Sequence, residues 1–171
     1  MAISRVIKAL NNLSKAFSDI DDDFFREGTK EYGKKIQARL LDGLEGGYDI
    51  EGKTFKGLKE STLNIRKYRG ISGDRILNAR DGAIQGFLKG DNLIETGKVQ
   101  VKLNNPPHEY MTLQNEGFSP TGGFLPGKSV PARKWYGIPK TYREGGTQYE
   151  LFLNKIIKEI NNKIADAINE S

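Results

Sequence analysis

His108 is the only histidine in the chain, and imidazole is the side chain that most readily exchanges a proton near neutral pH. It would serve as a general base only if a nucleophile and an orienting carboxylate converged on it, and nothing in the sequence indicates that they do. A histidine on the surface or in a turn, following Asn104-Asn105-Pro106-Pro107, is the simpler reading. Asp19, Asp21, Asp22 and Asp23 form a second candidate, because hard cations need several oxygen ligands. The glycine and terminal glutamate of a calcium loop are missing, however, and acids placed ahead of a helical pattern cap its free N–H groups and suit its dipole. Asp21 with Glu116 can be paired as a glycosidase couple, but 22 acidic residues allow a great many such pairings and none has a local signature. No phosphate-binding glycine loop, dinucleotide fingerprint or HExxH is present. With no cysteine, thiolate zinc sites, disulfides and cysteine nucleophiles are excluded. The residues therefore make a poor case for catalysis, and no catalytic residue, metal or cofactor is expected.

The elements that would position any site follow from periodicity. A length of 171 residues suits one compact domain that buries roughly 70% of its unfolded surface. Ile3, Val6, Ile7, Leu10, Leu13, Phe17 and Ile20 recur at helical spacing, with Arg5, Lys8, Asn12 and Lys15 on the other side. A second helix is predicted from Phe24 to Leu44, with Phe25, Tyr32, Ile36, Leu40 and Leu44 on one face and Lys30, Lys34, Lys35 and Arg39 on a solvated one. Gly43, Gly46 and Gly47 end it. Tyr48 to Thr62 reads as a turn-rich connection, and Ser61 to Arg69 as a short helix. The glycine-punctuated stretch from Gly70 to Gly90 fits an exposed loop or partner-contacting arm as well as packed structure.

Val99, Val101 and Leu103 alternate with polar residues, which predicts a strand. A second strand is predicted over Glu109 to Gln114 and a third extended segment over Val130 to Ile138, pairing antiparallel. The chain closes on a long amphipathic helix from Gln148 to Glu170. The predicted class is α+β: a small antiparallel sheet packed by amphipathic helices, with a long C-terminal helix and extended loops. No apolar run approaches the roughly 20 residues of a membrane span, so neither a span nor a signal peptide is expected. The net charge of +5 is mild, and acids and bases alternate along most segments, which differs from the basic stripe of a dedicated nucleic-acid binder.

One local cluster stands out. In Val130-Pro131-Ala132-Arg133-Lys134-Trp135-Tyr136-Gly137, proline stiffens the entry, Arg133 carries five fixed donors, and the sole tryptophan follows two residues later on the same side of an extended chain. Such a segment suits a strand with Trp135 in the core and equally suits a protein–protein contact.

Read with its upstream neighbours, this cluster resembles the virion morphogenesis and tail-completion proteins of tailed bacteriophages. Four stretches align in order: Gly52, Phe55, Leu58 and Thr62; Leu93, Thr96, Gly97 and Val99; Tyr110 to Gly117; and Val130-Pro131-Ala132-Arg133 followed by Gly137. Gln114 and Asn115 depart from the histidine and glutamine common near the end of that family's tyrosine strand, and Trp135 stands where phenylalanine is commoner. The stretch at about 70–92 looks like an inserted arm within a single domain spanning 1–171.

The resemblance implies a non-enzymatic structural protein of the virion neck or tail, made in the host bacterial cytoplasm. It would be a head–tail connector or tail terminator, assembling with copies of itself into a ring around the DNA channel. Its implied partners are portal- or adaptor-side and tail-tube-side phage proteins, with non-specific contact to packaged DNA in the lumen and no membrane. Residues expected to serve the fold or the subunit interface are Thr96, Gly97, Tyr110, Gln114, Gly117, Pro131, Arg133, Trp135 and Gly137. A glycine at 97 would permit a positive φ at the strand start, so Gly97→Ala is expected to destabilise the fold. The alternative functional reading is a basic nucleic-acid-binding module, and a weaker third is a small hydrolase using His108.

Overall fold

Asp21 starts the longest helix by physical necessity. The first N–H groups of a helix lack intrahelical partners, and the Asp21 Oδ1 accepts two of them, from Asp23 and Phe24, each at 3.0 Å. The acidic run thus caps a helix, as its position before an amphipathic pattern predicts. In the computed structural model, which describes residues 2–55, 57, 60, 64, 67–68, 83–97, 100–119 and 129–169, the architecture is α+β. Its helices are α1 (Ala2–Ser18), α2 (Asp22–Gly46), α3 (Ala83–Lys89), α4 (Glu109–Glu116) and α5 (Thr147–Asn169). Strands β1 (Ile94–Thr96) and β2 (Val101–Leu103) form a two-stranded antiparallel sheet. Glu60, Asn64, Lys67 and Tyr68 are helical as well; Leu58, Thr62 and Val99, and most of the stretch between Gly70 and Gly90, lie outside the described residues.

The contacts gather the chain into two compact units, neither of them continuous in sequence. The first comprises Met1–Lys34, Thr96–Lys102 and Thr141–Ser171, the second Lys35–Glu95 and Leu103–Lys140.

In the first unit, α1 packs along α5, and the start of α2 meets α5 through an aromatic cluster. Tyr32, 5% exposed, stacks on Phe152 at 4.5 Å and 19° and has Tyr142 and Tyr149 beside it. One turn before, a Cβ on Gly28 would stand 2.4 Å from Ile156 Cδ1, so the absent side chain is what lets these helices approach. The Tyr32 hydroxyl donates to the Tyr142 carbonyl at 2.8 Å.

Burial pushes the Tyr32 phenol up to about 12, with Tyr142 and Tyr149 adding to the shift. The folded value lies above the unfolded value of about 10, so above pH 10 the unfolded chain loses this proton first. Its contribution is intact below pH 10 and falls away as pH rises towards 12. Tyr32→Phe should lose about 1 kcal/mol at neutral pH with the hydrogen bond and show a shallower stability decline above pH 10 in urea titrations. Parallel declines in the two proteins would contradict the assignment.

In the second unit the remainder of α2 buries Ile36, Leu40 and Leu44, the residues that the sequence places on its apolar face. Leu88 of α3, Leu93, Met111 of α4 and Trp135 complete this core, each at most 1% exposed. The described part of the arm, from Ala83 to Leu93, is therefore packed structure. Gln37 Nε2 on α2 donates to the Leu88 carbonyl at 2.7 Å, satisfying a backbone acceptor at the end of α3. Lys30, Lys34 and Lys35 are exposed as expected, but Arg39 is half-buried. The turn from Tyr48 to Thr54 folds over it: Nη2 donates to the Asp49 and Ile50 carbonyls, each at 3.3 Å, and the guanidinium lies 4.8 Å from the Tyr48 ring.

The β elements depart most from the sequence pattern. Val101 and Leu103 are in a strand as predicted, paired with β1; the Gly97 N–H donates to the Gln100 carbonyl and the Asn104 N–H to the Leu93 carbonyl. The predicted strand over Glu109 to Gln114 is instead helix α4, which also corrects the strand that the phage-family resemblance implies at Tyr110 to Gly117. Pro106 and Pro107 interrupt the backbone ladder ahead of it, Met111 N–H donates to the His108 carbonyl, and Gly117, at φ 78°, returns its N–H to the Leu113 carbonyl as a helix terminator. Among the described residues, the predicted third strand, Val130 to Ile138, makes one antiparallel bridge, Val130 with Phe118, and no ladder.

Candidate functional site

The segment from Val130 to Gly137 is held by three hydrogen bonds, two of them to α4 and the third to Asn104 just after β2. The Arg133 N–H donates to the Gln114 carbonyl at 3.0 Å, the Tyr136 N–H to Asn115 Oδ1 at 3.0 Å, and the Tyr136 hydroxyl to the Asn104 carbonyl. Gln114 and Asn115, adjacent near the end of α4, thus act as two clips. Arg133 is buried, with Nη1 3.4 Å from Gln114 Oε1. Trp135, 1% exposed, meets Phe87 edge-on at 6.4 Å and 87° and lies against Tyr136. Burial raises the Tyr136 phenol above its ordinary value. Gly137, at φ 135°, passes beneath Ile50, whose Cδ1 would be 3.2 Å from a Cβ there. Of the expected residues, Gln114, Gly117, Arg133, Trp135 and Gly137 therefore lie in one unit, Arg133 and Trp135 buried and the other three half-buried.

The others do not join them. Tyr110 and Pro131 are exposed. Thr96 and Gly97 belong to the first unit, and Gly97 has no positive φ. A Cβ there would meet the Gln100 carbonyl oxygen at 3.7 Å, an ordinary contact. The expected sensitivity of Gly97 is thereby corrected: the turn is closed by a backbone bond that alanine also makes.

His108 is exposed, stacked on Tyr110 at 5.7 Å and 14°, and positioned just ahead of α4. Among the described residues no group of three His, Asp or Glu is placed to hold a metal ion. Asp21 is engaged with α2 N–H groups, and Asp21 and Glu116 belong to different units. No helix of the described residues is long and apolar enough to cross a membrane.

The surface that periodicity misplaces is on α1. Four of its large apolar residues, expected in the core, are open to solvent: Val6 58%, Ile7 54%, Leu10 61% and Phe17 60% exposed. Ala16 is buried instead, and with Asn12 and Ala167 it lines a recess of about 220 Å³ whose rim carries Lys15, Asp19, Lys163 and Asp166. Leu151, Ile157 and Ile168 of α5 are exposed too. The small residues Ala9, Asn12 and Ala16, spaced at i, i+3 and i+7, are the signal that this narrower face, the one that allows close helix approach, packs inward.

Compared with known proteins, the chain matches no family model, no curated protein and no solved structure.

Proposed function

We propose that this chain is a structural subunit of a tailed-phage virion, a neck or tail-completion protein of the connector or terminator type. Copies of it would form a ring that joins head and tail around the DNA channel, acting by shape and adhesion with no bond made or broken. The observation that carries the reading is the bare apolar face of α1. Four large side chains more than half exposed on one helix exceed the scattered apolar residues of an ordinary monomer surface. Covering their exposed parts by a second copy contributes about 1 kcal/mol each. A ring closes through head-to-tail contacts, so each copy needs two unlike faces; in this reading α1 supplies one and mixed-charge surface the other.

Further support comes from the ordered resemblance at Gly52 to Thr62, Leu93 to Val99 and Val130 to Gly137. The Tyr110 to Gly117 stretch, being helical, lends none. Portal- or adaptor-side and tail-tube-side proteins would meet the ring's two ends, and the mature protein would reside in the virion.

The natural chain is expected to give higher-order species in native mass spectrometry, and Leu10→Glu with Phe17→Glu to abolish them while leaving the monomer folded, because both side chains are already exposed. In the phage that encodes it, loss of the gene should leave heads and tails unjoined. Normal particle yield from a deletion, or substrate turnover by the purified protein, would end the proposal.

A further inference from the structure

Small side chains leave a hole where α1 meets α5. Asn12 and Ala16 of α1 and Ala167 of α5 line the recess of about 220 Å³, with two lysines and two aspartates around its rim. A dry cavity of about 150 Å³ holds one benzene ring, and pockets for drug-sized ligands start near 300 Å³. The recess is therefore the size of one large side chain. Of its rim charges, the Lys163 ammonium sits 5.6 Å from the centre of the Phe24 ring, whereas Lys15, Asp19 and Asp166 are exposed.

We propose that this recess is a socket for a second copy of the chain, filled by Leu10 of that copy. The inference rests on the connector reading, which needs two unlike faces on each copy, and identifies the second face. An apolar anchor seated in a pocket and ringed by polar groups that exclude water is the anatomy of an interaction hot spot. Leu10, 61% exposed and flanked by the exposed Val6 and Ile7, is such an anchor. It lies six residues before Ala16, about 9 Å along the helix axis and roughly 120° around it. Anchor and socket thus open in different directions, so a copy whose socket is filled still offers its own Leu10 to the next. Charge favours the same occupant. From Ala2 to Ser18 there is no Asp or Glu, and a docking α1 brings only positive charge to a rim that carries Asp19 and Asp166.

The experiment is native mass spectrometry of full-length chains, alone and mixed in pairs, with circular dichroism to confirm that each is folded. Ala167→Leu fills the socket and Leu10→Glu removes the anchor, so each variant alone should stay monomeric. Mixed, they should form a one-to-one pair and nothing larger, because the intact Leu10 of the first enters the intact socket of the second. Asp19→Lys with Asp166→Lys changes only exposed positions, decides the matter if Ala167→Leu fails to fold, and should raise the concentration needed for assembly about tenfold. Socket and rim variants that assemble like the natural chain, or a mixture that forms no pair, would overturn the socket. If Leu10→Glu with Phe17→Glu still prevents assembly in that case, the connector reading stands without it. A natural chain that never assembles would remove both.

Discussion

Gly117→Ala should cost more than about 3 kcal/mol of folding stability, from two causes that act together. At φ 78° and ψ 160° the residue occupies a region that is essentially restricted to glycine, and holding another residue there costs of order 1–3 kcal/mol. The added Cβ would also lie 2.6 Å from the Ala132 nitrogen and 2.8 Å from the Val130 oxygen, both of them backbone atoms that cannot rotate aside. Moving that segment away breaks the reciprocal bonds between Phe118 and Val130 and strains the Arg133 bond to Gln114. Thermal or urea unfolding provides the measure. Gly97→Ala, at a position with ordinary φ and free space, is the control and should stay within about 0.5 kcal/mol of the natural chain. Similar losses in the two variants would show that neither φ nor the close approach at Gly117 is what matters.

Trp135→Ala ranks beside it, with an expected loss of about 3–5 kcal/mol, the cost of emptying an aromatic site in a packed core. The ring is 1% exposed, its edge-on contact with Phe87 disappears, and the neighbouring Tyr136 loses a wall. The indole N–H has no hydrogen-bond acceptor among the described residues, and burying such a donor unpaired costs free energy. Trp135→Phe removes that penalty and keeps most of the packing, and should cost less than about 1.5 kcal/mol. Far-ultraviolet circular dichroism follows both variants, because the only tryptophan in the chain is the residue being replaced. An alanine variant as stable as the phenylalanine one would mean that packing at this site contributes little.

Much of the architecture is legible in the order of residues. Helices α1, α2 and α5 lie within two residues of where the spacing of apolar side chains puts them, because a long amphipathic stripe at a period of 3.6 has no strand equivalent. The Asp21 cap and the glycine stop at Gly47, just after α2, are likewise local properties. The stretch from Glu109 to Glu116 shows where such reading fails. Across two turns, Tyr110, Met111 and Leu113 suit either period, and the choice of helix rests on contacts made far along the chain, by Gln114 with Arg133 and by Asn115 with Tyr136. The segment around Trp135 is recognisable as unusual from composition, but whether its arginine faces a partner or the interior depends on which groups α4 brings to it.

Arg39 and the α1 stripe make the same point from opposite directions. A cationic residue on a polar face becomes half-buried because a turn ten residues later covers it with carbonyl oxygens and an aromatic ring. Four large apolar residues become exposed because small side chains on the neighbouring face permit the closer packing against α5. Periodicity specifies that a helix has two faces, since each side chain's direction follows from backbone geometry alone. Which face is covered is a property of the elements packed against it, and these come from distant parts of the chain.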